Sequence, residues 1–82
     1  MADVETPTSF IALCLAAERA DGHVGLVAKF EHGEPLRRKY SMVVEVRLPK
    51  HKIPFTRSFR TIDQLGEGSR ALLMDLAERK FL

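Results

Sequence analysis

The spacing of apolar residues changes twice along the chain, and each change marks a new kind of element. Over residues 8–20, Phe10, Leu13, Cys14 and Ala17 recur at three- and four-residue intervals, with Ile11 and Leu15 widening the stripe. That period predicts a helix whose surface is mostly buried. Thr6-Pro7-Thr8-Ser9 supplies its start, with Thr6 or Thr8 as N-cap and Pro7 in the first helical position if Thr6 is the cap. Asp21-Gly22 supplies its stop, the glycine taking the left-handed conformation usual just past a helix.

From His23 the period becomes two. Val24, Leu26, Ala28 and Phe30 alternate with His23, Gly25, Val27, Lys29 and Glu31, and His32-Gly33-Glu34-Pro35 reads as a turn. The next strand sets Tyr40, Met42, Val44, Val46 and Leu48 on one face and Arg37, Lys39, Ser41, Val43, Glu45 and Arg47 on the other. Residues 49–54 are bracketed by Pro49 and Pro54, so they form a loop. Phe55 to Arg60 is a third strand with Phe55 and Phe59 inward. Arg57 then shares their face, which calls for a bulge or for an edge position where its stem lies along apolar surface.

The period lengthens again after Thr61. Thr61-Ile62-Asp63-Gln64 fits a capping box, and Leu65, Leu72, Leu73 and Leu76 follow as one stripe. Gly66 and Gly68 each cost about 1 kcal/mol inside a helix, so the alternative is a short turn over 62–68 and a new helix capped by Ser69. The whole is an α+β chain of order α-β-β-β-α: a three-stranded antiparallel meander with two helices packed on one face. Both helices are expected to cover the face carrying Val24, Leu26, Tyr40, Val44, Val46 and Phe59, since three strands need such cover.

Eighty-two residues make one domain, with residues 1–5 as a frayed start, and 45% hydrophobic with 29% charged residues is a globular composition. The single Cys14 excludes an internal disulfide and fits a reducing compartment. Its apolar run is about half the length of a membrane span and follows an acidic segment, so the expectation is a soluble cytoplasmic protein without a signal peptide. Net charge is only +2, but its distribution is uneven: −3 over residues 1–22, +6 over 23–62 and −1 over 63–82.

That central charge is the candidate functional feature. Arg37, Arg38 and Lys39 stand at the base of a hairpin, Lys50 and Lys52 with His51 crown the next loop, and Arg47 and Arg60 add charge to the sheet face left open by the helices. Side chains two apart on a strand are spaced like successive phosphates, so such a row tracks a nucleic-acid backbone or an acidic protein surface. The plain alternative is that these residues keep a long strand soluble. Tyr40, Phe55 and Phe59 point inward in this reading, which leaves no stacking platform for bases. Val27 and Val43, apolar on the outward face, either mark a contact patch or simply suit a strand.

Other chemistry has little to stand on. His23, His32, His51 and Cys14 are isolated from one another, so neither a metal nor a cofactor is expected. Ser9, Ser41, Ser58 and Ser69 lie in no nucleophile motif. Gly66-Glu67-Gly68-Ser69-Arg70-Ala71 matches the dinucleotide fingerprint in letters, without the following β-α-β unit or the acidic residue it requires. The expectation is a binding module, not an enzyme.

The element order over residues 8–80 resembles the double-stranded-RNA-binding domain. The most similar stretch is Tyr40-Ser41-Met42-Val43-Val44-Glu45-Val46-Arg47-Leu48, an alternating strand opened by an aromatic residue. Gly68 and Ser69 stand where that family packs small residues on its sheet, and His32-Gly33-Glu34-Pro35 stands where its loop enters the minor groove. The family's second helix opens on lysines; Thr61-Ile62-Asp63-Gln64-Leu65-Gly66-Glu67 has none and carries two acids. The resemblance implies RNA as the partner. Two other classes fit the same residues. One is a phage- or mobile-element-type inhibitor of a host protein complex, anti-CRISPR proteins being the familiar example, which suits a short chain opening on its own methionine. The other is a small toxin-type nuclease using His51 or His32. A homodimer through the uncovered third strand is a further expectation.

Overall fold

The computed structural model describes residues 6–32 and 38–82, with the backbone alone over residues 29–32 and 38–41. The start over 1–5, the body of the His32–Pro35 turn and Arg37 therefore lie outside the described residues, and so does the inward placement of the Tyr40 side chain. Five elements follow in the order α1 (Thr8–Arg19), β1 (His23–His32), β2 (Arg38–Arg47), β3 (Phe55–Phe59) and α2 (Ile62–Glu78). The strands form one antiparallel sheet in the order β1-β2-β3. The α+β meander with its helices on one face is thus the observed fold.

The register runs from His23↔Arg47 to His32↔Arg38 in the first pair and from Met42↔Phe59 to Val46↔Phe55 in the second. It passes without a bulge, so Val46 and Val44 on the central strand lie between Val24 and Phe55 and between Leu26 and Arg57. α1 contacts β1, α2 contacts β3 and more sparingly β2, and the two helices pack most extensively on each other. Leu13 and Ala17 from α1, Val44 and Val46 from β2, and Leu65, Leu72 and Leu76 from α2 are all buried in the shared core.

Both helix ends differ in detail from their sequence signals. The N-cap of α1 is Pro7, with no side-chain cap; its carbonyl accepts from Phe10 and Ile11 N–H at 3.0 and 3.2 Å. At the other end Asp21, not Gly22, adopts the left-handed conformation (φ 59°). The Asp21 and Gly22 amides donate to the carbonyls of Glu18 and Ala17 at 3.0 and 2.8 Å, which is the hydrogen-bond pattern of a Schellman cap. Gly22 is needed for a different reason: a Cβ there would lie 2.3 Å from the Arg47 carbonyl oxygen.

α2 is one continuous helix of 17 residues, so no turn separates 62–68 from a second helix. Thr61 Oγ1 accepts from Gln64 N–H at 3.1 Å, while Gln64 Oε1 accepts from the amide of Arg60 at 2.8 Å, one residue before the N-cap itself. The two glycines answer to close neighbours. A Cβ on Gly66 would come within 3.2 Å of Pro7 Cβ, where Ser9 Oγ also donates to the Gly66 carbonyl at 2.6 Å. A Cβ on Gly68 would lie 3.4 Å from Arg57 Cγ. Arg57 thus lays its stem across the glycine from an edge strand, the second of the two solutions its position allowed.

Helix cover is less complete than the apolar pattern implies. Ile11 and Leu15 on α1 are 48% and 50% exposed, and Leu26 on β1 is 47% exposed. At 100° per residue Ile11 and Leu15 lie opposite the buried Leu13–Ala17 flank, turned away from the core. Val43, on the face without helices, is nevertheless 4% exposed, enclosed between Val27 and Ser58 of the neighbouring strands. It offers no free patch.

Candidate functional site

β2 and the loop after it decide where the positive charge lies. Strand alternation puts Arg47 and Glu45 on the same outward face, and their side chains pair, Arg47 Nε to Glu45 Oε1, at 2.6 Å. An exposed pair of this kind adds little stability, yet it lowers the charge that Arg47 offers to a partner. Lys50 and Lys52 are exposed in the β2–β3 loop. That loop is turned by the His51 amide donating to the Leu48 carbonyl at 3.1 Å.

Arg60 is exposed at the far end of β3. It follows Phe59, the partner of Met42, which sets it six residues along the sheet from Arg47, about 20 Å at the rise of a strand. Glu45, Thr56, Val43 and Ser58 occupy the outward face between them. Arg38 and Lys39 lie beyond, paired through their backbones with His32 and Glu31. Their side chains, and all of Arg37, fall outside the described residues. Arg47 and Arg60 are thus separated on the outward face by Glu45, Thr56, Val43 and Ser58. Arg47, Lys50 and Lys52 gather at one end of the sheet, and Arg60, Arg38 and Lys39 belong to the other.

At the first end the structure adds a residue that the sequence pattern does not reveal. α2 begins beside the far end of β3 and runs back about 26 Å. Its C-terminal cap, with Lys80 left-handed (φ 63°) and Phe81 N–H on the Leu76 carbonyl at 2.8 Å, sets down beside the β2–β3 loop. His51, Phe55 and Phe81 meet there as a three-ring cluster, His51–Phe81 at 4.4 Å, His51–Phe55 at 5.2 Å and Phe55–Phe81 at 5.7 Å between centroids. A half-open cavity of about 330 Å³ lies against it, lined by Leu48, His51 and Phe81 with Lys50, Lys80 and Asp21. Its size is at the lower end for a small-molecule site. His51 Nδ1 is buried there with no hydrogen-bond partner among the described residues.

The field at this cavity is mixed. Lys50, Lys52 and Lys80 take part in no ion pair among the described residues. Against them stand Asp21 and the C-terminal ends of both helices, whose dipoles disfavour an anion. An anion therefore suits the outer lysines and not the floor. A second, shallower depression at the helix starts is lined by Asp63, Glu67 and Arg70, so the opening of α2 is acidic on balance, opposite to the lysine-rich second helix of the RNA-binding family.

The remaining candidates resolve simply. Cys14 is a free, half-buried thiol whose pKa is raised by burial and by the nearby Glu18 carboxylate, which keeps it protonated and slow to react. Gly66 and Gly68, the two glycines of the dinucleotide-like string, are inside α2 and face Pro7 and Arg57. Among the described residues no three His, Cys, Asp or Glu are grouped to hold a metal, and no helix is long and apolar enough to cross a membrane. Compared with known proteins, the chain matches no family model, no curated protein and no solved structure.

Proposed function

We propose that this chain is a small nucleic-acid-binding module and that its contact surface is the end of the sheet carrying Lys50, Lys52 and Lys80. The observation behind this reading is the meeting of Lys50 and Lys80, from two separate segments, around one cavity that His51 and Phe81 also line, with Lys52 exposed in the same loop as Lys50. In this reading the lysines hold phosphates through charge, Arg47 extends the contact at a level reduced by Glu45, and the cavity receives an unstacked or terminal base against Phe81 and His51. Arg60 with Arg37, Arg38 and Lys39 forms a second, separate contact along the same duplex. The α-β-β-β-α order shared with the double-stranded-RNA-binding domain supports RNA as the first ligand to try, although the acidic start of α2 argues that this chain grips its ligand elsewhere than that family does.

The test is a fluorescence-anisotropy titration against labelled duplex RNA, duplex DNA and single strands. The three lysine contacts alone give a salt slope of about −2.7, so affinity should fall at least about 40-fold between roughly 50 and 200 mM salt, the second contact adding to it. Lys50→Glu with Lys52→Glu and Lys80→Glu should abolish that slope together with the binding, whereas Arg37→Glu with Arg38→Glu should weaken binding and leave part of the slope. Absence of binding at low salt in every arm, or a triple variant that binds like the parent, would overturn the proposal. A salt-insensitive partner lost on one apolar truncation would point instead to a protein-binding inhibitor.

A further inference from the structure

The outer edge of β1 is poorly protected. β1 ends the sheet, is ten residues long, and carries no strand on its far side among the described residues. From His23 to Ala28 it contains no acidic or basic residue other than His23 and no proline, none of the devices that normally guard a free edge. Exposed apolar residues flank the edge on both faces, Leu26 on the helix side and Val27 (37% exposed) on the other. Gly25 leaves open space where a Cβ would stand. α1 lies over this strand and turns Ile11 and Leu15 outward, so four of the seven exposed large hydrophobics among the described residues belong to this one side.

We propose that this edge is an interface for a second copy of the chain, with β1 pairing antiparallel to its own copy about a two-fold axis through Val27. The occupant is argued from symmetry, register and area. A strand placed antiparallel to itself presents the same donors and acceptors from both sides, so the match needs no foreign sequence. With the axis at Val27, Leu26 falls opposite Ala28 on the helix side, Val27 opposite itself on the other, and His23 opposite Glu31, so no like charges are set together. In this register the nine strand residues 23–31 pair over about 30 Å, and a sheet edge about 10 Å deep over that length gives about 300 Å². The outer side of the 12-residue α1 adds about 180 Å² at helix dimensions. The two copies together then bury about 1,000 Å², the lower limit for a specific interface, which implies a weak, concentration-dependent dimer. The proposal does not depend on nucleic-acid binding.

The axis makes the test sharp. Light scattering and sedimentation of the full chain from about 1 to 200 µM, the range expected for an interface of this size, should show the mass rising from 9.3 kDa toward twice that value. Val27→Lys sets two lysines against each other and should hold the chain monomeric throughout, and Val27→Glu should do the same. An equimolar mixture of the two should dimerise again, because each lysine then meets a glutamate. Far-UV circular dichroism of each variant should match the parent, since Val27 is an edge residue. A parent that stays monomeric at the highest concentration overturns the proposal. A dimer that survives both charge variants but is lost in Ser58→Lys would place the contact on β3 and overturn it equally, and a mixture that stays monomeric would rule out the axis at Val27.

Discussion

The two edges of the sheet are built to opposite plans. β3 is five residues long, presents Thr56 and Ser58 outward, and has α2 packed closely enough on it that Arg57 folds its stem over Gly68 and exposes its charge. β1 is twice as long, shows Leu26 and Val27 to solvent, and lies under a helix whose outer stripe is also apolar. A cation on a short strand is a standard guard against edge pairing, and a long strand that is uncharged over Val24 to Ala28 and flanked there by apolar residues lacks that guard until Lys29. The difference teaches that exposure of apolar residues here is organised and not scattered. One edge closes the fold, and the other leaves Leu26 and Val27 exposed.

The open side also has the tightest joint, and the largest expected effect follows from it. α1 passes into β1 through Gly22, where any side chain meets the Arg47 carbonyl. Because the obstacle is backbone, neither a rotamer change nor a small shift relieves it. Gly22→Ala should destabilise the protein by about 3 kcal/mol, the upper range for overpacking, read from urea unfolding midpoints at constant slope. If the variant loses less than about 1 kcal/mol, the helix–strand joint on the β1 side is looser than the geometry requires.

The closed side depends on a cap of ordinary strength. Thr61 accepts the Gln64 amide at the start of α2, directly after β3. Thr61→Ala should cost about 1 kcal/mol. Thr61→Ser should recover most of it, since the hydroxyl oxygen is the working group. Equal loss in both variants would assign the effect to packing of the threonine methyl and not to the cap.

How legible these two sides were in the sequence differs in the same way. The switch from a period near 3.6 to a period of two and back gave all five elements, because periodicity reports which residues must share a face. It does not report whether the chain possesses a partner for that face. Ile11, Leu15 and Leu26 therefore read as core but are left open. The Asp21-Gly22 pair announced a helix end without saying which residue takes the left-handed turn, since aspartate tolerates it too, and the glycine was required by the Arg47 carbonyl from 25 residues away. The candidate site divides likewise. Arg47, Lys50 and Lys52 are neighbours in sequence and stayed neighbours in space, whereas Lys80 joined them only through the length and direction of α2. No local motif encodes that meeting. The pairing of Arg47 with Glu45 was no more legible as a motif, since it depends on two residues sharing a strand face.

The smallest effect expected is also the one that separates the two glycines of α2. Each lowers helix propensity by about 1 kcal/mol relative to alanine, so alanine should stabilise the helix wherever the new methyl finds room. At Gly68 the nearest atom would be Arg57 Cγ at 3.4 Å, an ordinary contact with a flexible side chain on an exposed edge. At Gly66 it would be Pro7 Cβ at 3.2 Å, held by a rigid ring beside the 2.6 Å bond from Ser9 to the Gly66 carbonyl. Gly68→Ala should therefore raise stability by up to about 1 kcal/mol, while Gly66→Ala should give no net gain, because α1 must move to admit it. Thermal unfolding of the two variants side by side decides this. Equal stabilisation would mean that the start of α1 yields as easily as an arginine stem, and that the crossing of α1 over α2 is softer than the β3 edge beside it.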